Sequence, residues 1–185
     1  MNEYRDRLLA GMVEAIAEIG FADLTIADIV RRARVSKRTF YEHFETKEAC
    51  FLALYERESL ALVAAIEAAI RDVPPGLERI RKGTTVYLAA IGASPRHART
   101  LLIEILHVGA DGLRLRREVL RRFADLFVRE LDGALTAYAA MAIVGGINEL
   151  ILEASEEDRL DRLGELATAI NQLVEGVIVV ALRAS

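Results

Sequence analysis

The residues best equipped for chemistry lie between Thr25 and Lys47. From Arg31 to Lys47 there are six basic residues (Arg31, Arg32, Arg34, Lys37, Arg38, Lys47) against two acidic ones, Glu42 and Glu45. Among them stand the hydroxyls of Ser36, Thr39 and Tyr41 and the imidazole of His43. Cations and hydroxyls gathered in this way suit phosphate oxygens and base edges. The net charge of −4 does not oppose that reading, because binding follows the placement of charge and not its sum. Elsewhere no nucleophile–base pairing, phosphate loop or carboxylate pair at metal spacing stands out, so no enzymatic activity is expected. His97, Glu104, His107 and Asp111 fall within an ~80° stripe of one helix. Gly109 should end that helix before Asp111, so the stripe reads as a solvated polar face and no metal is expected.

Holding these groups in place requires short helices at a fixed angle. Leu8, Leu9, Met12, Val13, Ile16 and Ile19 follow the three-and-four spacing of an amphipathic helix, and Gly20 stops it. Thr25-Ile26-Ala27-Asp28 has the pattern of a capping box, opening a helix of about two turns with Ile26, Ile29, Val30 and Ala33 inward. Ser36 offers the next N-cap, for a helix carrying Phe40 and Phe44 on one face, and Thr46 offers a third. Two short helices joined by a tight turn, the second with Lys37, Arg38, Thr39, Tyr41 and His43 around its outward faces, describe a helix-turn-helix. An α-helix is about as wide as the major groove of B-DNA, so the N-terminal residues of such a helix can reach base edges.

The third cap opens a long helix from Lys47 to about Asp72, which Val73-Pro74-Pro75-Gly76 ends. Further helical runs follow at about Leu77 to Ala93, Pro95 to Val108, Leu113 to Leu131, Leu135 to Ala154 and Leu160 to Leu182. Nothing alternates with period two, so the spacing predicts an all-α chain of about three small helices followed by about six longer ones. With 185 residues, 53% of them hydrophobic and 28% charged, the composition is that of a globular protein. The lone Cys50 excludes an intrachain disulfide and reads as a small buried apolar residue. Met1 to Arg7 is charged, unlike a secretory signal, and the uncharged stretch Gly133 to Asn148 is shorter than the ~20 residues of a membrane span. A cytoplasmic protein with no membrane partner is therefore expected.

At these residues the sequence resembles the tetracycline-repressor (TetR) family of bacterial regulators. The signature reads Leu24-Thr25-Ile26, then Val35-Ser36-Lys37-Arg38-Thr39-Phe40-Tyr41-Glu42-His43-Phe44, then Thr46-Lys47-Glu48. The resemblance implies a ligand-responsive transcriptional regulator, most often a repressor, that binds a palindromic operator as a homodimer and is released by a small, apolar effector. It places a helix-turn-helix DNA-binding domain at residues 1–47 and an effector-binding and dimerisation domain at 48–185. It also implies contacts: Thr25 with phosphate at the start of the second helix, and Lys37, Arg38 and Thr39 with bases or backbone, behind the cap Ser36. Tyr41 and His43 would meet phosphate from the other side of that helix, and Lys47 from the start of the fourth. Arg34 stands where the family often has glycine. A positive φ there costs arginine about 1 kcal/mol, while its guanidinium can reach phosphate.

The last two helical runs are apolar nearly all round, with Leu163, Ile170, Leu173 and Val177 on one stripe and Leu135, Tyr138, Ile143, Ile147 and Ile151 on the other. Two such helices from each subunit can form a four-helix bundle across a two-fold axis, which is also how the family dimerises. On the family plan the helices from Leu77 to Leu131 enclose an effector pocket. Tyr87, Ile91, Leu102, Leu106, Phe123, Phe127, Tyr138 and Met141 are its candidate walls, with plain core packing as the competing reading of each. No cofactor is expected. The alternative for the whole chain is a helical adaptor that binds protein without reading DNA sequence.

Overall fold

The computed structural model describes the backbone of residues 3–131, 133 and 135–184, and their side chains except those of 96, 97, 100 and 181–184. Among the described residues there are nine α-helices and no strand. They are α1 (Glu3–Ile19), α2 (Ile26–Ala33), α3 (Lys37–Tyr41), α4 (Lys47–Ile70), α5 (Leu77–Ala93), α6 (Pro95–His107), α7 (Ala110–Glu130), α8 (Ala137–Glu156) and α9 (Ala167–Ala184), with a 3-10 segment at Leu160–Leu166 before α9. The predicted all-helical architecture is the one found. Two stretches differ from the sequence reading. The seventh helix starts at Ala110 and runs through Gly112 instead of starting at Leu113. A Cβ on Gly112 would stand 2.5 Å from the Ile105 carbonyl, so that glycine marks a close approach to α6 and not a loop. The final run is not one helix, because Arg162 has φ −111° and ψ 19°. Positions three apart eclipse in a 3-10 turn, which brings both Leu160 and Leu163 inward.

The chain forms two compact units. The first comprises 1–59 and 96–116. Its core is Leu8, Leu9, Met12 and Ile16 of α1, Ile29 and Ala33 of α2, Phe40, Phe44, and Phe51 and Leu54 of α4. Phe21 and Phe51 stack with centroids 5.2 Å apart, and Phe40 and Phe44 lie at 5.9 Å. Gly20, at φ +81°, ends α1 with its amide donating to the Ile16 carbonyl at 2.8 Å. Cys50 is buried and its thiol is pushed up to about 12, chiefly by burial, which keeps it protonated and inert.

The second unit comprises 60–95 and 117–185. Ile66, Ile70 and Leu126 form a buried cluster with Leu62, Val86, Tyr87 and Phe123 against it. Thr136 caps α8, its hydroxyl accepting from the Ala139 amide at 3.2 Å. The inward face of α8 is Ala140, Ile143, Val144, Ile147, Ile151 and Ala154. By length and mean hydropathy Ala137–Glu156 and Leu160–Val180 are each long and apolar enough to cross a bilayer. Only 39% and 22% of them is buried within the chain, so both leave apolar surface uncovered.

The packing of α1 on α2 turns on Gly11, where a Cβ would stand 2.9 Å from both the Ala33 amide nitrogen and the Ile29 carbonyl. Helix propensity alone favours alanine over glycine by about 1 kcal/mol. We expect Gly11→Ala to act in the opposite sense, destabilising the protein by about 1–3 kcal/mol through overpacking. Denaturant unfolding followed by circular dichroism measures it, and a more stable variant would contradict the close approach.

Candidate functional site

Each of the short helices begins on a side-chain cap. The Thr25 hydroxyl accepts from the Asp28 amide at 3.3 Å, and the Asp28 carboxylate accepts from the Thr25 amide at 3.2 Å, completing the expected capping box. The Thr25 hydroxyl and amide, with the nearby Arg31 and Arg32 guanidiniums, hold the Asp28 carboxyl below its usual range. Its contribution is therefore present at neutral pH and fades only as pH falls through that lowered value. Ser36 accepts from the Thr39 amide at 3.0 Å, with the two hydroxyls 2.9 Å apart, and Thr46 accepts from the Ala49 amide at 3.0 Å.

Between α2 and α3 the backbone turns at Arg34, whose φ of 54° and ψ of 46° are left-handed. The Arg34 amide donates to the Arg31 carbonyl at 3.3 Å and the Val35 amide to the Val30 carbonyl at 3.1 Å, the paired bonds of a Schellman end. The glycine-like conformation is thus adopted by an arginine. α3 then places Phe40 inward while Lys37, Arg38 and Tyr41 stand exposed, Tyr41 at 57%. Thr39 and His43 are half-buried, and Arg34 and Ser36 are exposed.

The cations divide into those engaged by the protein and those facing out. Arg32 pairs with Glu18 and also donates to the Asp28 carbonyl at 3.2 Å, and Arg31 pairs with Asp28 at 3.1 Å. Arg38 pairs with Glu42 at 3.1 Å but is 90% exposed, so this surface pair can open at little cost. Lys47 is occupied: its ammonium donates to the carbonyls of Phe21 at 2.9 Å, Ala22 at 3.2 Å and Leu24 at 2.8 Å, and it lies 4.8 Å from the Phe21 ring centroid. The sequence reading gave Lys47 a phosphate and missed this grip on the loop leading to α2. It also missed Arg7, which donates to the Ala33 carbonyl at 3.0 Å and the Arg34 carbonyl at 2.6 Å. Arg7 thus pairs carbonyls that the end of α2 leaves open.

The second unit holds a cavity of about 60 Å³. Of the eight residues expected around a pocket, Tyr87, Phe123 and Phe127 line it, with the Tyr87 and Phe123 rings edge to face at 5.5 Å. Ile91, Leu102, Leu106, Tyr138 and Met141 do not. Leu102 and Leu106 belong to the first unit, and α8 faces the cavity with Val144 and Ile147. Tyr138 is 90% exposed, six residues before Val144 and therefore well round the helix from it. The walls that the sequence reading missed include Ile66, Ile70, Ile80, Thr84 and Leu126. One signal was available, since Ile80, Gly83, Thr84 and Tyr87 follow the i, i+3, i+4, i+7 pattern of a single helix face. As for the polar stripe, His107 lies 3.3 Å from Glu104, the His97 side chain is outside the described residues, and no metal-holding group of three occurs among those described.

Two substitutions test the backbone of this region by thermal or chemical denaturation. Lys47→Ala should cost about 2 kcal/mol by leaving three carbonyls without their charged donor. Arg34→Gly should gain up to about 1 kcal/mol by relieving the left-handed side chain.

Residues 8–54 match the pattern of bacterial regulatory proteins, tetR family. Over 80 residues the chain is 30% identical to the HTH-type transcriptional regulator EthR of Mycolicibacterium smegmatis, covering 43% of this chain and 37% of that protein. The chain thus spans little more than a third of that relative's length. Among solved structures it is similar to the fatty acid degradation regulator FadR from Bacillus halodurans, with TM-score 0.84, 20% identity and 96% of each chain covered. It is also similar to the transcriptional regulator FadR from Bacillus subtilis in complex with stearoyl-CoA, with TM-score 0.73, 18% identity and coverage of 92% of this chain and 98% of that one. These two likenesses show a common fold along nearly the whole chain. Residues 8–54 thus carry the pattern of the tetR family of bacterial regulatory proteins, and the rest of the chain shares the fold of the solved regulators named above.

Proposed function

We propose that this protein is a ligand-responsive transcriptional regulator, a repressor that binds a palindromic operator as a homodimer and lets go when a small, apolar effector fills the cavity of the second unit. The observation that carries this reading is the outward face of α3. Lys37, Arg38 and Tyr41 are presented together on a helix whose cap, Ser36, and core residue, Phe40, fix its direction. Thr25 stands at the start of α2, its hydroxyl and amide both donating to Asp28, and Arg34 extends the donor set. Thr39 and His43 complete it. Lys47 serves DNA binding through the loop it pins, since its ammonium already meets three carbonyls. A regulator of this kind works in the cytoplasm, beside the DNA.

Self-association is supported by α9, where Ala169, Leu173, Gly176 and Val180 recur at the spacing of one helix face and are all exposed. Leu173 is 38% and Val180 68% exposed, more apolar surface than a lone α9 should show to water. A two-fold partner laid on this face would bury it and set two α3 helices on successive major grooves. An effector with an apolar part is supported by the cavity walls, and the similar regulator from Bacillus subtilis is in complex with stearoyl-CoA, whose acyl chain is apolar.

The reading is tested by gel shift or anisotropy on DNA flanking the coding region of the protein. Affinity should fall steeply with salt, Lys37→Ala or Arg38→Ala should change sequence preference, and Tyr41→Phe should weaken all sequences alike. Absence of binding to varied sequences at low salt would overturn it. Leu173→Glu should yield monomers in light scattering and lower DNA affinity, and an unchanged dimer would remove α9 from the interface.

A further inference from the structure

The cavity of the second unit is lined mainly by apolar side chains, and its two charged walls are paired, Arg79 Nη1 lying 2.7 Å from Glu130 Oε2. The side chains are only 19% and 13% exposed. An ion pair this far out of water is costly to build and adds less stability than an aliphatic pair of the same volume, so a use for one of its charges is worth seeking. The partners are unequally held. Arg79 is fixed from a second side, its Nε donating to the Val73 carbonyl at 2.6 Å. Glu130 has a second cation nearby, Arg129, whose Nη2 pairs with Glu67 at 2.5 Å while its Nε, on the other edge of the guanidinium, is 3.6 Å from Glu130 Oε1; the side chain is 58% exposed.

The helix ends act in the same direction. Glu130 is the last residue of α7, where the negative end of the helix opposes a carboxylate. Arg79 is in the first turn of α5, whose N-cap Gly76 makes no side-chain cap hydrogen bond. That turn therefore presents amides and positive potential. The fixed component is the cation, and the replaceable one is the carboxylate.

We infer that the cavity, widening from its present ~60 Å³, takes an amphipathic anion, its apolar body against Ile66, Ile70 and Phe123 and its anionic head on Arg79 in place of Glu130, which turns to Arg129. The inference rests on the proposed effector role of the cavity and names the chemical class of the effector. One carboxylate replaces another, so the local charge balance at Arg79 is preserved. The exchange also breaks a tie between α5 and α7, so a ligand with the right head would be felt at both helices. A cationic amphipath would need Arg79 to leave, against its bond to Val73.

Calorimetry and thermal shift on the full chain with octanoate, octanol and octylamine test this. Octanoate should bind roughly tenfold more tightly than octanol, and octylamine more weakly than either. Arg79→Gln should abolish the preference for octanoate and leave octanol binding unchanged, which a merely misfolded variant would not do. Glu130→Gln should tighten octanoate a few-fold by removing its competitor. Equal binding of octanol and octanoate to the wild type would overturn the anionic head while leaving the effector cavity standing. Octylamine binding most tightly, and lost in Glu130→Gln, would overturn it in favour of a cation. If none of the three binds, the cavity role falls with it.

Discussion

Every α-helix leaves its first amides and last carbonyls without partners inside the helix, and in α2 and α3 almost nothing is left once those ends are counted. Helices of eight and five residues do not persist in water on their own backbone bonds. Their existence here depends on groups supplied from outside: hydroxyls and a carboxylate at the starts, the Arg7 guanidinium at the finish of α2, and the Lys47 ammonium on the loop before it. The outward display of Lys37, Arg38 and Tyr41 follows from this inward pairing. A change that frees one of those backbone groups therefore reorients the whole outward face of α3 without altering any of the three exposed side chains on it.

How far the sequence could be read depended on how far apart the partners are. The caps at Thr25, Ser36 and Thr46 bond to amides three residues on, so a short window contains the entire interaction. The left-handed turn at Arg34 came from the family resemblance, in which glycine is common at that position, and nothing in the arginine itself announces it. Arg7 and Lys47 find their carbonyls 23 to 27 residues away, and nothing local in their surroundings tells a backbone clamp from a solvated cation. The cavity was half legible for a related reason. Periodicity shows which face of α5 turns inward, but a void is set by where several faces fail to meet, and choosing large aromatics as walls selected Tyr138, which lies almost wholly in solvent. The continuous last helix was expected from the spacing of its apolar stripe, and the chain instead breaks at Arg162, with Leu160 and Leu163 both buried in the 3-10 segment around it.

The two units spend their polar groups differently. In the first, charges pair mainly with backbone and with neighbouring carboxylates, leaving a few cations directed outward. In the second, the apolar surface of α8 and α9 exceeds what one chain covers, and the Arg79–Glu130 pair is set into an otherwise greasy wall. The first arrangement fixes geometry. The second leaves apolar surface and a buried ion pair that the chain itself does not fully use.

The grip of Lys47 has one more consequence. Three carbonyls converging on an ammonium form, in coordination terms, a small oxygen cradle for a monovalent cation, except that the cation is covalently attached to α4. Tethering gives it an effective concentration that dissolved salt competes with poorly. The scaffold under the outward face of α3 thus stays constant over an ionic-strength range in which exposed ion pairs are heavily screened. The shape of that face is thereby decoupled from the ionic strength that governs any charged contact it makes.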